Sequence, residues 1–85
     1  MTEIFHRLVG YDRSTGMVAA EYDVPRIHLE FAKRVAKVPA DDPEAVLCYR
    51  LTGQQARDIA GAIGVAIDAD AFNFYMEGFA VPISG

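Results

Sequence analysis

A chain of 85 residues with 52% hydrophobic and 24% charged residues has the make-up of one folded domain, residues 1–85, and not of a disordered or collagen-like chain. Its single cysteine, Cys48, excludes an intrachain disulfide, and no apolar run approaches the roughly 18 residues of a membrane span. A net charge of −4 argues against generic binding to a phosphate backbone, where Lys and Arg must displace counterions.

The charge is uneven. Residues 41–85 carry Arg50 and Arg57 against Asp41, Asp42, Glu44, Asp58, Asp68, Asp70 and Glu77, so the C-terminal half is the acidic one and suits a basic protein partner. The start Met1-Thr2-Glu3-Ile4-Phe5-His6-Arg7 has neither the cationic opening nor the long apolar core of a signal peptide, so a soluble cytoplasmic protein, not bound to membranes, is expected.

Residues 3–11 are rich in Ile, Phe, Leu, Val and Tyr and residues 17–24 in Val, Ala and Tyr, and both segments read as strands. Between them, Asp12-Arg13-Ser14-Thr15-Gly16 forms a hairpin turn. Its short polar side chains bond nearby backbone, and Gly16 accepts a positive φ. Period two places Phe5, Val9 and Tyr11 with Arg7 on one face of the first strand and Ile4, His6 and Leu8 on the other.

Pro25 ends the second strand, and Ile27–Val38 follows as a helix. At 100° per residue, Ile27, Phe31, Val35 and Val38 form its predicted core stripe, widened by Leu29, Ala32 and Ala36, opposite Glu30, Lys33, Arg34 and Lys37. Pro39-Ala40-Asp41-Asp42-Pro43 is a loop, and Val46–Leu51 a third, largely apolar strand.

Thr52-Gly53-Gln54-Gln55 fits a capping box for a second helix. Ala56, Ile59, Ala60 and Ile63 supply its apolar face, and Gly64 its left-handed stop. Asp68-Ala69-Asp70-Ala71 is a turn or a short helical piece, and Phe72–Val81 the last strand, with Pro82 at its end. The order β-β-α-β-α-β predicts an α+β domain: a single four-stranded sheet with two helices packed on one face.

The residues Gly10-Tyr11-Asp12-Arg13-Ser14-Thr15-Gly16, Glu21-Tyr22-Asp23-Val24-Pro25, Asp41-Asp42-Pro43, Cys48-Tyr49-Arg50-Leu51-Thr52 and Phe72-Asn73-Phe74-Tyr75 carry a resemblance over most of the chain. In them the chain resembles an uncharacterised family of small bacterial proteins, a domain of unknown function. The resemblance implies an α+β fold and a bacterial origin, and it carries no activity, cofactor or catalytic residue.

Cys48 with His6 or His28 supplies a thiol and a base, but the spacing brings no third, orienting group, and Cys48 between Leu47 and Tyr49 reads as a packing residue. Asp68 and Asp70 have the spacing that opens a calcium loop. Phe72 and Asn73 then stand where that loop needs an oxygen ligand and a glycine, so a solvated turn is preferred. The glycines form no phosphate-binding pattern, and Arg26, Lys33, Arg34 and Lys37 read as the solvated side of the first helix.

The last strand is apolar on both faces, with Phe72, Phe74 and Met76 on one and Tyr75, Phe79 and Val81 on the other. Helices cover only one sheet face, so the other is the expected contact surface, with Tyr11, Tyr22, Tyr75 and Phe79 as aromatic anchors. The resulting expectation is a non-enzymatic protein-interaction module without cofactor or metal, a homo-oligomer or the partner of another protein; an immunity-type inhibitor of a basic toxin is one version. The rival is a small-molecule-binding or enzymatic domain with a cleft near Cys48 and His6.

Overall fold

The protein is described here by a computed structural model covering residues 2–82. Strands β1 (Thr2–Asp12) and β2 (Val18–Val24) form the first hairpin. The Asp12 carboxylate accepts the backbone N–H of Ser14 at 2.8 Å and of Thr15 at 3.0 Å, and Gly16 takes a φ of 73°. This is the turn chemistry that the sequence predicts.

Helix α1 (Arg26–Ala36) starts directly after Pro25 and stops at Lys37, which adopts a left-handed φ of 57°. Helix α2 (Gly53–Ile63) carries a complete capping box: the Thr52 hydroxyl accepts from the Gln55 N–H at 3.1 Å, and the Gln55 side chain accepts from the Thr52 N–H at 2.8 Å. Gly64, with a φ of 78°, closes it. The Gln55 side-chain amide also donates to the Val35 carbonyl at 2.8 Å and so ties the two helices together.

The sheet is antiparallel throughout, in the order β2-β1-β4-β3, where β3 is Cys48–Arg50 and β4 is Phe72–Pro82. Leu8, Val24, Phe74 and Met76 from its inner face meet Ala32 and Ala36 of α1 and Ala56, Ile59 and Ala60 of α2 in one core. Both helices therefore lie on the same sheet face, and the α+β architecture is as predicted. Small residues at the helix contacts let the helices approach closely; Ile59, Leu8 and Met76 are the large side chains sealed inside.

Three local expectations change. Ile27 is 86% exposed and Phe31 is also exposed, so the inward stripe of α1 runs through Ala32, Val35 and Ala36. The helix is rotated because alanines, rather than a bulky pair, fit against α2. The third strand contracts to Cys48–Arg50; Val46 and Leu47 lie in the preceding loop and are exposed. Cys48, expected to pack inside, is exposed: Tyr49 opposite Met76 takes the inward position, and period two turns Cys48 outward.

That loop has a structure of its own. The buried Asp42 carboxylate accepts the N–H of Val46 at 3.1 Å and of Leu47 at 3.2 Å, and it also accepts the Tyr49 hydroxyl. Ala45 is fully buried with a φ of 51°, and its carbonyl lies so near Gly78 that a Cβ there would sit 2.4 Å away. The loop thus closes over β4 only because residue 78 has no side chain.

Candidate functional site

With both helices on one side, the opposite face of the sheet is open. Strand pairing arranges its residues in rows that run across the strands. One row reads Glu21, Val9, Tyr75, Arg50 from β2 to β3, and the next reads Asp23, Arg7, Glu77, Cys48. Beyond these, Phe5 pairs with Phe79 and Glu3 with Val81; at the other end, Val18 and Asn73 flank Tyr11. On the two central strands apolar and aromatic residues alternate with the charged pair Arg7 and Glu77, while the β2 edge carries Glu21 and Asp23 and the β3 edge ends in Arg50.

The centre of this face is built by aromatic and cationic contacts. The Phe5 and Phe79 rings stack with centroids 5.8 Å apart, and the Arg7 guanidinium lies 4.4 Å over the Phe79 ring. Arg7 is held there from β2, 3.3 Å from Asp23 and 4.0 Å from Glu21. Tyr11 meets Tyr75 edge to face with centroids 5.4 Å apart. Among these residues Phe5 is 43%, Val18 52% and Val81 37% exposed.

A polar group borders the aromatics. The Tyr11 hydroxyl donates to Glu77, and the Cys48 Sγ lies 3.5 Å from the same carboxylate oxygen. The Glu77 hydrogen bond, with desolvation second, pushes the Tyr11 hydroxyl up to about 12. Desolvation, reinforced by the Glu77 charge, pushes the Cys48 thiol up to about 11. Both shifts hold the protonated forms at neutral pH, so this thiol is a donor rather than an activated nucleophile.

His6 stands elsewhere. It is buried on the helix-covered face, with Nε2 2.8 Å from the Glu44 carbonyl oxygen, and the sheet separates it from Cys48. His28 is half-buried on α1. Tyr11, Tyr75 and Phe79 come together on the open face, but Tyr22, opposite Leu8, points to the helices and packs against the core. It leaves the proposed group because register, not residue type, decides the face.

Arg26 of the basic helix side is paired with Glu3 at 2.7 Å and Lys33 with Glu30 at 3.4 Å. Asp68 accepts the N–H of Asp70 and of Ala71, each at 3.2 Å, which makes the expected turn. Among the described residues no three His, Cys, Asp or Glu side chains converge as a metal site. A notch of about 440 Å³ opens where β2 ends, lined by residues including Phe5, Pro25, Leu29 and Val81, with Arg7–Asp23 and Arg26–Glu3 ion pairs at its rim.

Arg7, Glu77, Arg50 and Phe5 belong to the open face although the aromatic pattern alone did not single them out. Their signal was the alternation that puts Arg7 in phase with Phe5, Val9 and Tyr11; its meaning required the strand order.

Comparison with curated proteins and comparison with solved structures each return no match. The profile of one family matches residues 6–77, from the buried histidine of β1 to the glutamate of β4 that binds Tyr11. By that match, which spans both helices and most of the sheet, the chain belongs to the family described as Domain of unknown function (DUF7683).

Proposed function

We propose that this domain acts by associating with protein through the open face of its sheet, and that it is not an enzyme. The observation that carries this reading is the ordered aromatic centre on a face that neither α1 nor α2 covers: the Phe5–Phe79 stack under Arg7 and the Tyr11–Tyr75 pair. Such aromatic and Arg side chains, held in place before binding and ringed by polar residues, are the anchors that protein contacts use. When the face is covered, the Arg7–Phe79 attraction strengthens and, with the Asp23 carboxylate, offsets part of the cost of removing water from the guanidinium.

Against catalysis stand the protonated Cys48 thiol and the placement of His6 on the other side of the sheet, bonded to a backbone carbonyl. A thiol and a base separated in this way do not form a nucleophile pair.

The test is Phe79→Asp and Tyr75→Asp, each followed by light scattering coupled to gel filtration and by circular dichroism. Each substitution is expected to abolish the assembly of the purified chain while leaving its helical signal and a cooperative melting transition in place. Assemblies that survive both substitutions would overturn the reading, as would unimpaired wild-type binding after the whole face is alkylated or charged.

A further inference from the structure

We infer that the occupant of the open face is a second copy of this chain, packed face to face about a two-fold axis that runs parallel to the strands between β1 and β4. This inference rests on the protein-association reading above and specifies its partner and geometry.

The argument is one of charge complementarity. A two-fold axis along the strands keeps each cross-strand row at its own level and reverses its order, so that β2 lies over the second copy's β3 and β1 over its β4. In the row Glu21, Val9, Tyr75, Arg50, reversal sets Glu21 against Arg50 at both ends and lays Tyr75 over the level of Val9, which is only 2% exposed within its own chain. In the row Asp23, Arg7, Glu77, Cys48, it sets Arg7 against Glu77 twice. In the next row Phe5 meets Phe79.

An axis across the strands gives the opposite result. It lays β2 over β2, so that Glu21 and Asp23 of one copy face the same acidic edge of the other, and like charges oppose each other at close range. The arrangement of charges therefore selects one symmetry. Facing sheets rotate by about 30° relative to each other, which slides the edge positions by a few ångströms, a distance that long Arg and Glu side chains span.

The face is large enough for a weak contact. Two central strands of 11 residues, in a sheet of four strands, cover roughly 500 to 600 Å² at about 3.3 Å per residue and 4.8 Å per strand. That falls at or just under the about 600 to 1,000 Å² that each side of a standard specific interface contributes, in the range of weak, transient contacts. A reversible dimer of modest affinity is the consequence.

The experiment uses Glu21→Arg and Arg50→Glu, separately, mixed, and combined in one chain, in sedimentation equilibrium at a concentration where the wild type is dimeric. Glu21 and Arg50 are exposed and stand on opposite edges of the sheet, so neither change touches the core. Each single variant is expected to weaken self-association at least tenfold. The equimolar mixture is expected to restore a particle of twice the 9.3 kDa chain mass, and so is the double variant alone. Glu21→Lys replaces Glu21→Arg if arginine beside Arg7 lowers the melting temperature.

Single variants that dimerise like the wild type, or a mixture and double variant that both stay monomeric, would overturn this pairing. If Phe79→Asp still dissociates the dimer in that case, the open face remains the contact and only its symmetry is wrong. If Phe31→Asp on α1 dissociates it and Phe79→Asp does not, both readings fall. A wild-type chain that is monomeric at millimolar concentration would overturn the second copy as occupant.

Discussion

The Tyr49 hydroxyl donates to the Asp42 carboxylate and thereby fastens β3 to the loop that leads into it. Asp42 also receives two backbone N–H groups of that loop, so a single acidic side chain organises residues 42–49. The Tyr49 bond, with help from those two N–H groups and from His6, holds the Asp42 carboxyl below its usual range.

A carboxylate with a depressed folded-state pKa stabilises the fold above its unfolded pKa, and that contribution is lost as pH falls through the folded value. The difference in urea midpoint between wild type and Asp42→Asn is therefore expected to be largest near neutral pH and to shrink below about pH 4, where the unfolded-state carboxyl begins to protonate. A difference that is constant from pH 7 to pH 2 would remove Asp42 from this role.

Gly78 and Gly61 are expected to respond in opposite directions to the same change. A Cβ at Gly78 would lie 2.4 Å from the Ala45 carbonyl oxygen and 3.0 Å from the Val46 Cα, which are backbone atoms that cannot swing aside. Gly78→Ala is expected to cost about 1 to 3 kcal/mol, the range for overpacking. Gly61 lies in α2 with nothing within 4 Å of its would-be Cβ, so Gly61→Ala is expected to stabilise by about 0.5 to 1 kcal/mol. Paired denaturant titrations check both signs.

In α2 the cap and the core separate cleanly. Thr52→Ala removes the hydroxyl that accepts the Gln55 N–H and is expected to cost about 0.5 to 2 kcal/mol. Ile59→Ala empties a fully buried position and is expected to cost about 2 to 5 kcal/mol, whereas Ile63, only half-buried, is expected to cost less on the same change. Equal losses at 59 and 63 in thermal or urea melts would contradict this packing.

Cys48 is exposed yet held protonated, so its alkylation by iodoacetamide is expected to be slower at pH 8 than that of a free thiol and to accelerate as pH approaches about 11. Glu77→Gln removes the negative charge beside the sulfur and is expected to speed the reaction at pH 8. The pseudo-first-order labelling rate, measured across pH, reads both effects. An unchanged rate in Glu77→Gln would leave desolvation as the sole cause.

Local chemistry was legible in the chain without its tertiary structure. Asp12 and Gly16 announced a hairpin, Thr52 with Gln55 a helix start, and Gly64 a stop, because each of these motifs is satisfied by backbone within a few residues. The alternation along Phe72–Val81 likewise sorted Tyr75 and Phe79 from Phe74 and Met76, since side chains on a strand alternate regardless of its neighbours. Strand order lay beyond that reach. Placing β1 between β2 and β4 brings Arg7 onto Phe79 and Glu77 beneath Tyr11, and it sends Tyr22 inward and Cys48 outward. Those positions follow from which strands pair and in what register, a relation between residues as far apart in the chain as Thr2 and Pro82 that no local pattern encodes.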